Sequence, residues 1–441
     1  MGAHVFHRST SARPPIAVRG EGSFLIDADG RRYLDACSGA AVSCLGHGHP
    51  RVAAAIAEQA ARLEYVHTGF FTTAEGEELA DLVADLSPGA LDRVWFTSSG
   101  SEATEAALKL ARQYHLEHGD SGRTQVIARR LSYHGNTLGA LAVGGSEWRR
   151  APYAPLLIDV SLVDPCFEYR FAEAEESAED YGRRAANSLE AEILVLGAET
   201  VMAVIAETVV GATAGAVPPV AGYLRKIREI CDRYGVLLIL DEVMCGSGRT
   251  GTFLSCEQDG VVPDIVTLGK GLGGGYQPIG AVVCTDKVYE AVASGSGALK
   301  HGQTYNAHPV GCAAALAVQQ IIREEGLLGR VVTAGERLQA LLTSRFGNHP
   351  NVGDIRGRGL LLAIELVADR ATKAPFDPAL KLHERAKSEA FARGLLIYPG
   401  GGTADGRSGD HILLAPPYNI ADHELETIVD LLGDTVDAVL P

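Results

Sequence analysis

An α/β fold is what this sequence predicts: a mainly parallel sheet in a large domain, with a smaller α+β domain drawn from both termini. Three observations predict it. Short apolar runs recur through the middle of the chain, helical patterns fall between them, and the two ends follow a different, turn-rich rhythm. Continuously apolar runs suit strands covered on both faces, as in parallel sheets flanked by crossover helices.

The strand candidates in order are 93–97, 125–128, 203–207, 236–241, 265–268 and 281–284. Segments such as 102–113 and 223–234 carry apolar residues at helical spacing and supply the crossovers. At the N-terminal end, SFLIDADGRRYLDA reads as two strands turning near Asp29-Gly30. From about residue 315 the order is helix, the strand-like GLLLAIEL, helix, then LLIYPG and HILLAPP. The expected division is therefore a large domain over 61–314 and a small domain from 1–60 with 315–441. The charged stretch FAEAEESAEDYGRRAANSLEAE reads as a solvated surface helix.

The length of 441 residues suits more than one lobe. The balance of 39 basic against 55 acidic residues gives a net charge of −16, which argues against a nucleic-acid or anionic-membrane surface. An anionic ligand must then be held locally, by a few placed groups. The eight cysteines are scattered singly without a CxxC pair, so neither a metal site nor a disulfide framework is indicated. MGAHVFHRSTSARPP has no apolar core, and no later run is long enough to span a bilayer. A reduced, soluble, cytoplasmic protein is the expectation.

The chemistry concentrates at strand ends. The run GVLLILDEV closes on Asp241, and Lys270 follows the next strand candidate, IVTL, amid glycines. A carboxylate at the C-terminal end of a buried parallel strand points into the crevice where open α/β sheets bind ligands. A plain Asp241–Lys270 ion pair is the simpler alternative, although buried pairs add little stability. Gly246-Ser-Gly-Arg-Thr-Gly251 matches GxGxxG, but it leads into TGTFLSCEQDG instead of opening a helix, so a dinucleotide fold is rejected. Gly269-Lys270 also lacks the Ser/Thr of a P-loop.

Upstream, a strand runs through VWFT into Ser99-Gly100-Ser101 and then a helix. Amides and hydroxyls at a helix start make an anion site, and simple N-capping by either serine is the alternative. Tyr133 and His134, in LSYHGNT, stand at a strand-to-turn junction. Together these residues amount to an anion clamp, an aromatic plate, a strand-end acid and an amine. That set matches pyridoxal phosphate, whose aldehyde needs a lysine and whose ring nitrogen needs an acid.

DEVMCGSGRTG followed by PDIVTLGKGLGGGYQPIGA resembles class III aminotransferases, of the fold-type I pyridoxal-phosphate enzymes, and the resemblance covers nearly the whole chain. It implies that Lys270 is the Schiff-base lysine and proton shuttle, and that Asp241 is the partner of the pyridinium nitrogen. Val243 would pack on the ring face opposite Tyr133, with His134 beside them. Ser99, Gly100 and Ser101 would hold the phosphate, and Glu207 would support the cofactor end of the site. The stretch from Gln303 and Thr304 matches one that reaches the phosphate of a neighbouring subunit, which implies a homodimer or a dimer of dimers.

Relatives acting on ornithine, acetylornithine or 4-aminobutyrate carry a second glutamate five positions after the one matching Glu207, where this chain has Ala212. Ala212 resembles the ω-amino-acid and amine:pyruvate branch, in which an arginine swings between substrates. Arg407 is the candidate arginine, a surface-loop role being the alternative. Ala40 and Ala41 stand where amine-preferring relatives often carry Leu-Trp, which implies a wider pocket; Tyr133 would border the substrate as well. The implied reaction moves an amino group from an amine donor to an oxo acid, with pyruvate the expected acceptor. An aminomutase, a racemase, a decarboxylating aminotransferase or a non-catalytic scaffold of this fold are the competing expectations.

Overall fold

The computed structural model describes residues 4–10 and 13–441. Its centre is a seven-stranded sheet in the order Leu91–Thr97, Gly280–Thr285, Ile265–Leu268, Leu237–Asp241, Val201–Glu207, Gln125–Arg129 and Ser161–Val163. Only Gly280–Thr285 runs antiparallel to its neighbours. All six predicted strands are present. The edge strand Ser161–Val163 is not predicted by the sequence; it is three residues long and only Val163 is buried, too little for an apolar run to stand out.

Every residue of Val201–Glu207 and Leu237–Asp241 is buried. Leu238 and Leu240 enter one apolar core while Leu237 and Ile239 enter another on the opposite face. Side chains alternate along a strand, so a strand covered on both sides must be apolar throughout. That is the physical basis of the unbroken runs in the sequence. The helix Tyr223–Tyr234 has the predicted bounds, and Gly100–Glu117 extends the predicted 102–113 at both ends. The charged stretch does form a helix, Ala178–Leu196, but Tyr181, Leu189 and Ile193 on one face are buried, so it is amphipathic instead of wholly solvated.

Near the N-terminus, Ala17–Glu21, Phe24–Asp27 and Arg32–Asp35 form a meander, turning through Gly30 at φ 82°. Leu395–Leu396, from the far end of the chain, adds as a parallel fourth strand. A single core joins Leu34 and Leu45 to Phe346, Ile412 and Leu425. The other C-terminal sheet is antiparallel, in the order Val352–Arg358, Leu361–Leu366, Asp410–Leu414 and Tyr398–Gly401.

Two buried polar clusters stitch this sheet to the central one. Glu365, fully buried, accepts from Arg356 Nη1 and from Arg170 Nε, both at 2.6 Å, and Arg356 Nε also donates to the Gly215 carbonyl at 2.7 Å. Arg249, 1% exposed, donates to the carbonyls of Leu360 and Pro416, and its guanidinium lies 4.6 Å from the centroid of the Tyr418 ring.

Candidate active site

Three neighbouring strands of the central sheet end together. Glu207 and Asp241 are register partners, and Asp241 pairs in turn with Thr267, three residues before Lys270. The ends of these strands form the C-terminal edge of a parallel sheet, where adjacent chains diverge and leave a crevice. Into that crevice project the Asp241 carboxylate and the Lys270 amine, and both line one cavity. Lys270 holds its backbone in the left-handed region, at φ 44°. A lysine pays a steric cost there, and such strain is concentrated at functional sites.

The carboxylates are held, not free. Asp241 Oδ1 accepts from the Val243 amide at 2.9 Å, and Oδ2 lies 2.7 Å from His134 Nδ1. Glu207 accepts from the Tyr133 amide at 3.0 Å and from the Gly211 amide at 2.9 Å. Burial pushes the Glu207 carboxyl up, against the favourable charge of His134. Burial likewise draws the Lys270 amine below its ordinary value, while Asp241 and Glu207 act in the other direction. The amine therefore stays neutral to lower pH than a free lysine.

At the cavity's other end the helix Gly100–Glu117 begins. Ser99 Oγ accepts from the Glu102 amide at 3.2 Å, and Ser101 Oγ accepts from Asn136 at 3.0 Å. Ser99 therefore caps the helix while Ser101 ties it to the turn at Asn136, and first-turn amides that the helix cannot satisfy internally remain for a ligand. A Cβ on Gly100 would come within 2.8 Å of Val243 Cγ1, so the cradle depends on glycine there. Gly135, at φ 135°, closes on Ser101 in the same way. Amides, an amine, a buried acid and the side chains of Tyr133 and Val243 in one cavity lining fit pyridoxal phosphate in number and chemical type.

Ser99, Gly100, Ser101, Tyr133, His134, Glu207, Ala212, Asp241, Val243 and Lys270 all line this cavity. Met244 and Gly135 line it as well and were not predicted, since neither type carries a chemical signal in a sequence. The remaining candidates lie elsewhere. Arg407 borders an outer chamber that shares Ala212 with the inner cavity. Ala40 and Ala41 line neither; Ala41 is buried in a small core that includes Met244, one layer behind the cavity wall. Thr304 is exposed, and neither it nor Gln303 lines the cavity of its own chain.

The fold places the molecule in a class. A solved (S)-enantioselective omega-transaminase from Thermomicrobium roseum matches 100% of the chain over 97% of its own, with a TM-score of 0.93 and 36% identity. The omega transaminase from Pseudomonas jessenii in complex with PMP matches 99% of the chain over 96% of its own, with a TM-score of 0.93 and 33% identity. The fold is that of the fold-type I pyridoxal-phosphate transferases.

Within that class, the chain belongs to the aminotransferase class-III family, whose model matches residues 6–436. An uncharacterised aminotransferase of Schizosaccharomyces pombe is 45% identical over 99% of the chain and 95% of its own length. A hypotaurine/taurine–pyruvate aminotransferase of Paracoccus denitrificans is 35% identical over 99% and 96% respectively. The protein is a pyridoxal-phosphate-dependent aminotransferase.

Proposed function

We propose that this enzyme moves an amino group from an ω-amino acid or amine to an oxo acid, with pyruvate as acceptor and Lys270 as the covalent anchor. Support comes above all from the convergence of Lys270, Asp241 and Glu207 at three adjacent strand ends. Ala212 supports the ω branch, because its methyl group supplies no carboxylate at the position where ornithine- and 4-aminobutyrate-type relatives carry a second glutamate. The P. denitrificans relative, named for pyruvate, points to the same acceptor.

When bound, pyridoxal phosphate supplies an aldehyde that condenses with amines and a ring that takes up the electron pair released at the substrate carbon. The chain's own groups do the rest. Lys270 Nζ would anchor the cofactor and, when free, would take the proton from the substrate carbon and pass it on. Asp241, whose two oxygens are fixed by His134 and the Val243 amide, would keep a proton on the ring nitrogen. Ser99, Gly100 and Ser101 would receive the phosphate, and Tyr133 and Val243 would hold the ring. Glu207 ties the Tyr133 backbone in place.

Thr304 completes the phosphate site of a second copy in a homodimer, alone or paired into a dimer of dimers. The exposed aromatics Phe70 and Phe71, with Tyr305 next to Thr304, suit a buried face between copies. Eight free cysteines, all buried, suit a reducing cytoplasm, and among the described residues no helix is long and apolar enough to cross a membrane. The large domain spans 61–314, and the small domain joins 1–60 to 315–441.

A panel of amine donors against pyruvate and 2-oxoglutarate tests the reading. Alanine should accumulate from pyruvate, without carbon dioxide release or an isomerised donor. Replacing Arg407 by alanine should raise KM for the oxo acid by roughly tenfold, the scale of one charged hydrogen bond, with amine KM little changed. Formation of an isomer without alanine would assign an aminomutase instead.

A further inference from the structure

The outer chamber, about 600 Å³, adjoins the inner cavity, with Ala212 in the lining of both. Two arginines stand in its wall under different circumstances. Arg407 is spoken for: its Nη2 donates to Glu147 Oε1 at 2.6 Å and its Nε to Oε2 at 3.2 Å, in an exposed pair. Arg149, two residues after that glutamate, makes no ion pair among the described residues, and its Nε is buried without a hydrogen-bond partner.

What holds Arg149 is aromatic. Its guanidinium lies 4.2 Å from the centroid of the Trp148 ring and 5.0 Å from that of Tyr133, the same Tyr133 that lines the inner cavity. Its charge also reaches Tyr398 on the chamber wall, where burial raises the phenol and Arg149 opposes that rise. A guanidinium resting on ring faces keeps its in-plane donors for another partner, and those donors match a carboxylate in pairs. Glu147 and Glu384 line the same chamber, yet neither makes an ion pair with Arg149, so its charge stays available to an anion that enters there.

We propose that Arg149 binds the remote carboxylate of an ω-amino-acid donor whose amine meets the Lys270 end of the site. The assignment rests on the transaminase reading above and narrows it, from amines in general to donors carrying an anionic group several bonds from the amine. It also separates two tasks: Arg407 meets the acid group next to the oxo carbon, and Arg149 meets the distant one.

The test compares holoenzyme of wild type, Arg149→Gln and Arg149→Lys. Donors run from β-alanine to ω-aminohexanoate, each beside the alkylamine of equal length, with the donor half-reaction followed by cofactor absorbance. Arg149→Gln should raise KM about 10- to 100-fold for at least one ω-amino acid. Its kcat and the paired amine's KM should change less than about threefold, and Arg149→Lys should restore part of the loss.

Calorimetry with hexanoate, which has no amine to transfer, reads the subsite without turnover and should show the same weakening. Equal changes for acid and amine, or hexanoate affinity untouched by Arg149→Gln, overturn the proposal. A wild type that aminates no oxo acid yet binds hexanoate through Arg149 would refute the transaminase reading and leave the anion site standing.

Discussion

Lys270→Ala should abolish turnover, with a rate loss on the order of 10⁴-fold or more, because it removes both the covalent anchor and the proton carrier. The structure offers no substitute. Asp241 is an acid engaged by His134 and the Val243 amide, and among the described residues no lysine or arginine other than Lys270 lines the inner cavity. The phosphate cradle and the ring-facing side chains remain in this variant, so the cofactor should still bind, without a bond to protein. Borohydride reduction followed by peptide mass analysis is the direct check. Wild type should carry the cofactor on the peptide containing Lys270, and the variant should carry none.

The pH dependence has a definite sign. Burial lowers the Lys270 amine, so its neutral form persists below the pH at which a free lysine is charged. Cofactor-free protein should therefore be acylated at Lys270 at lower pH than at its surface lysines under limiting reagent. Labelling of Lys270 that tracks the surface lysines would remove burial as the cause.

Glu365→Ala carries the largest expected loss of stability, about 3–5 kcal/mol, the range for removing one member of a buried charge cluster. The carboxylate is fully buried and shared between Arg170 and Arg356, and its deletion leaves the Arg170 guanidinium without an acid and Arg356 without its buried one. Asp354, 2.9 Å from Arg356, is a partial replacement for one of them only. Urea unfolding of the holoenzyme should show a clearly lower midpoint for Glu365→Ala and a smaller drop for Glu365→Gln, which keeps acceptor and donor atoms. A loss below about 1 kcal/mol, the scale of a surface pair, would mean that the cluster is solvated in solution.

Much of the site was legible because its groups close buried strands. Val236 through Leu240 and Ile265 through Leu268 announce themselves as apolar runs, and a polar residue at the end of such a run stands out. Asp241 and Lys270 were readable for that reason. The strand Val352–Arg358 was not, since VGDIRGR replaces apolar alternation with charge. Its Arg356 is buried only because Glu365 and the Gly215 carbonyl await it across the fold.

The substrate side of the pocket was hidden for a related reason. Arg407 and Glu147 are 260 positions apart, and the chamber they border is assembled from segments that share no local pattern. The alanines show the limit of carrying a motif over by position. Ala212 lines both compartments, whereas Ala41 ends up behind the wall it was expected to form.

Arg249 belongs to the glycine run that at first suggests a nucleotide loop, yet its role is mechanical. It plugs its guanidinium into carbonyls at Leu360 and Pro416 and stacks on Tyr418, whose hydroxyl reaches back to the Ser247 carbonyl at 3.0 Å. Prying the sheets apart would strand a desolvated cation among groups that can no longer answer it, a cost of several kcal/mol. The vault around Lys270 is thus welded shut along its seam. Opening costs less at the exposed Arg407–Glu147 pair, which borders the outer chamber, than along that buried seam.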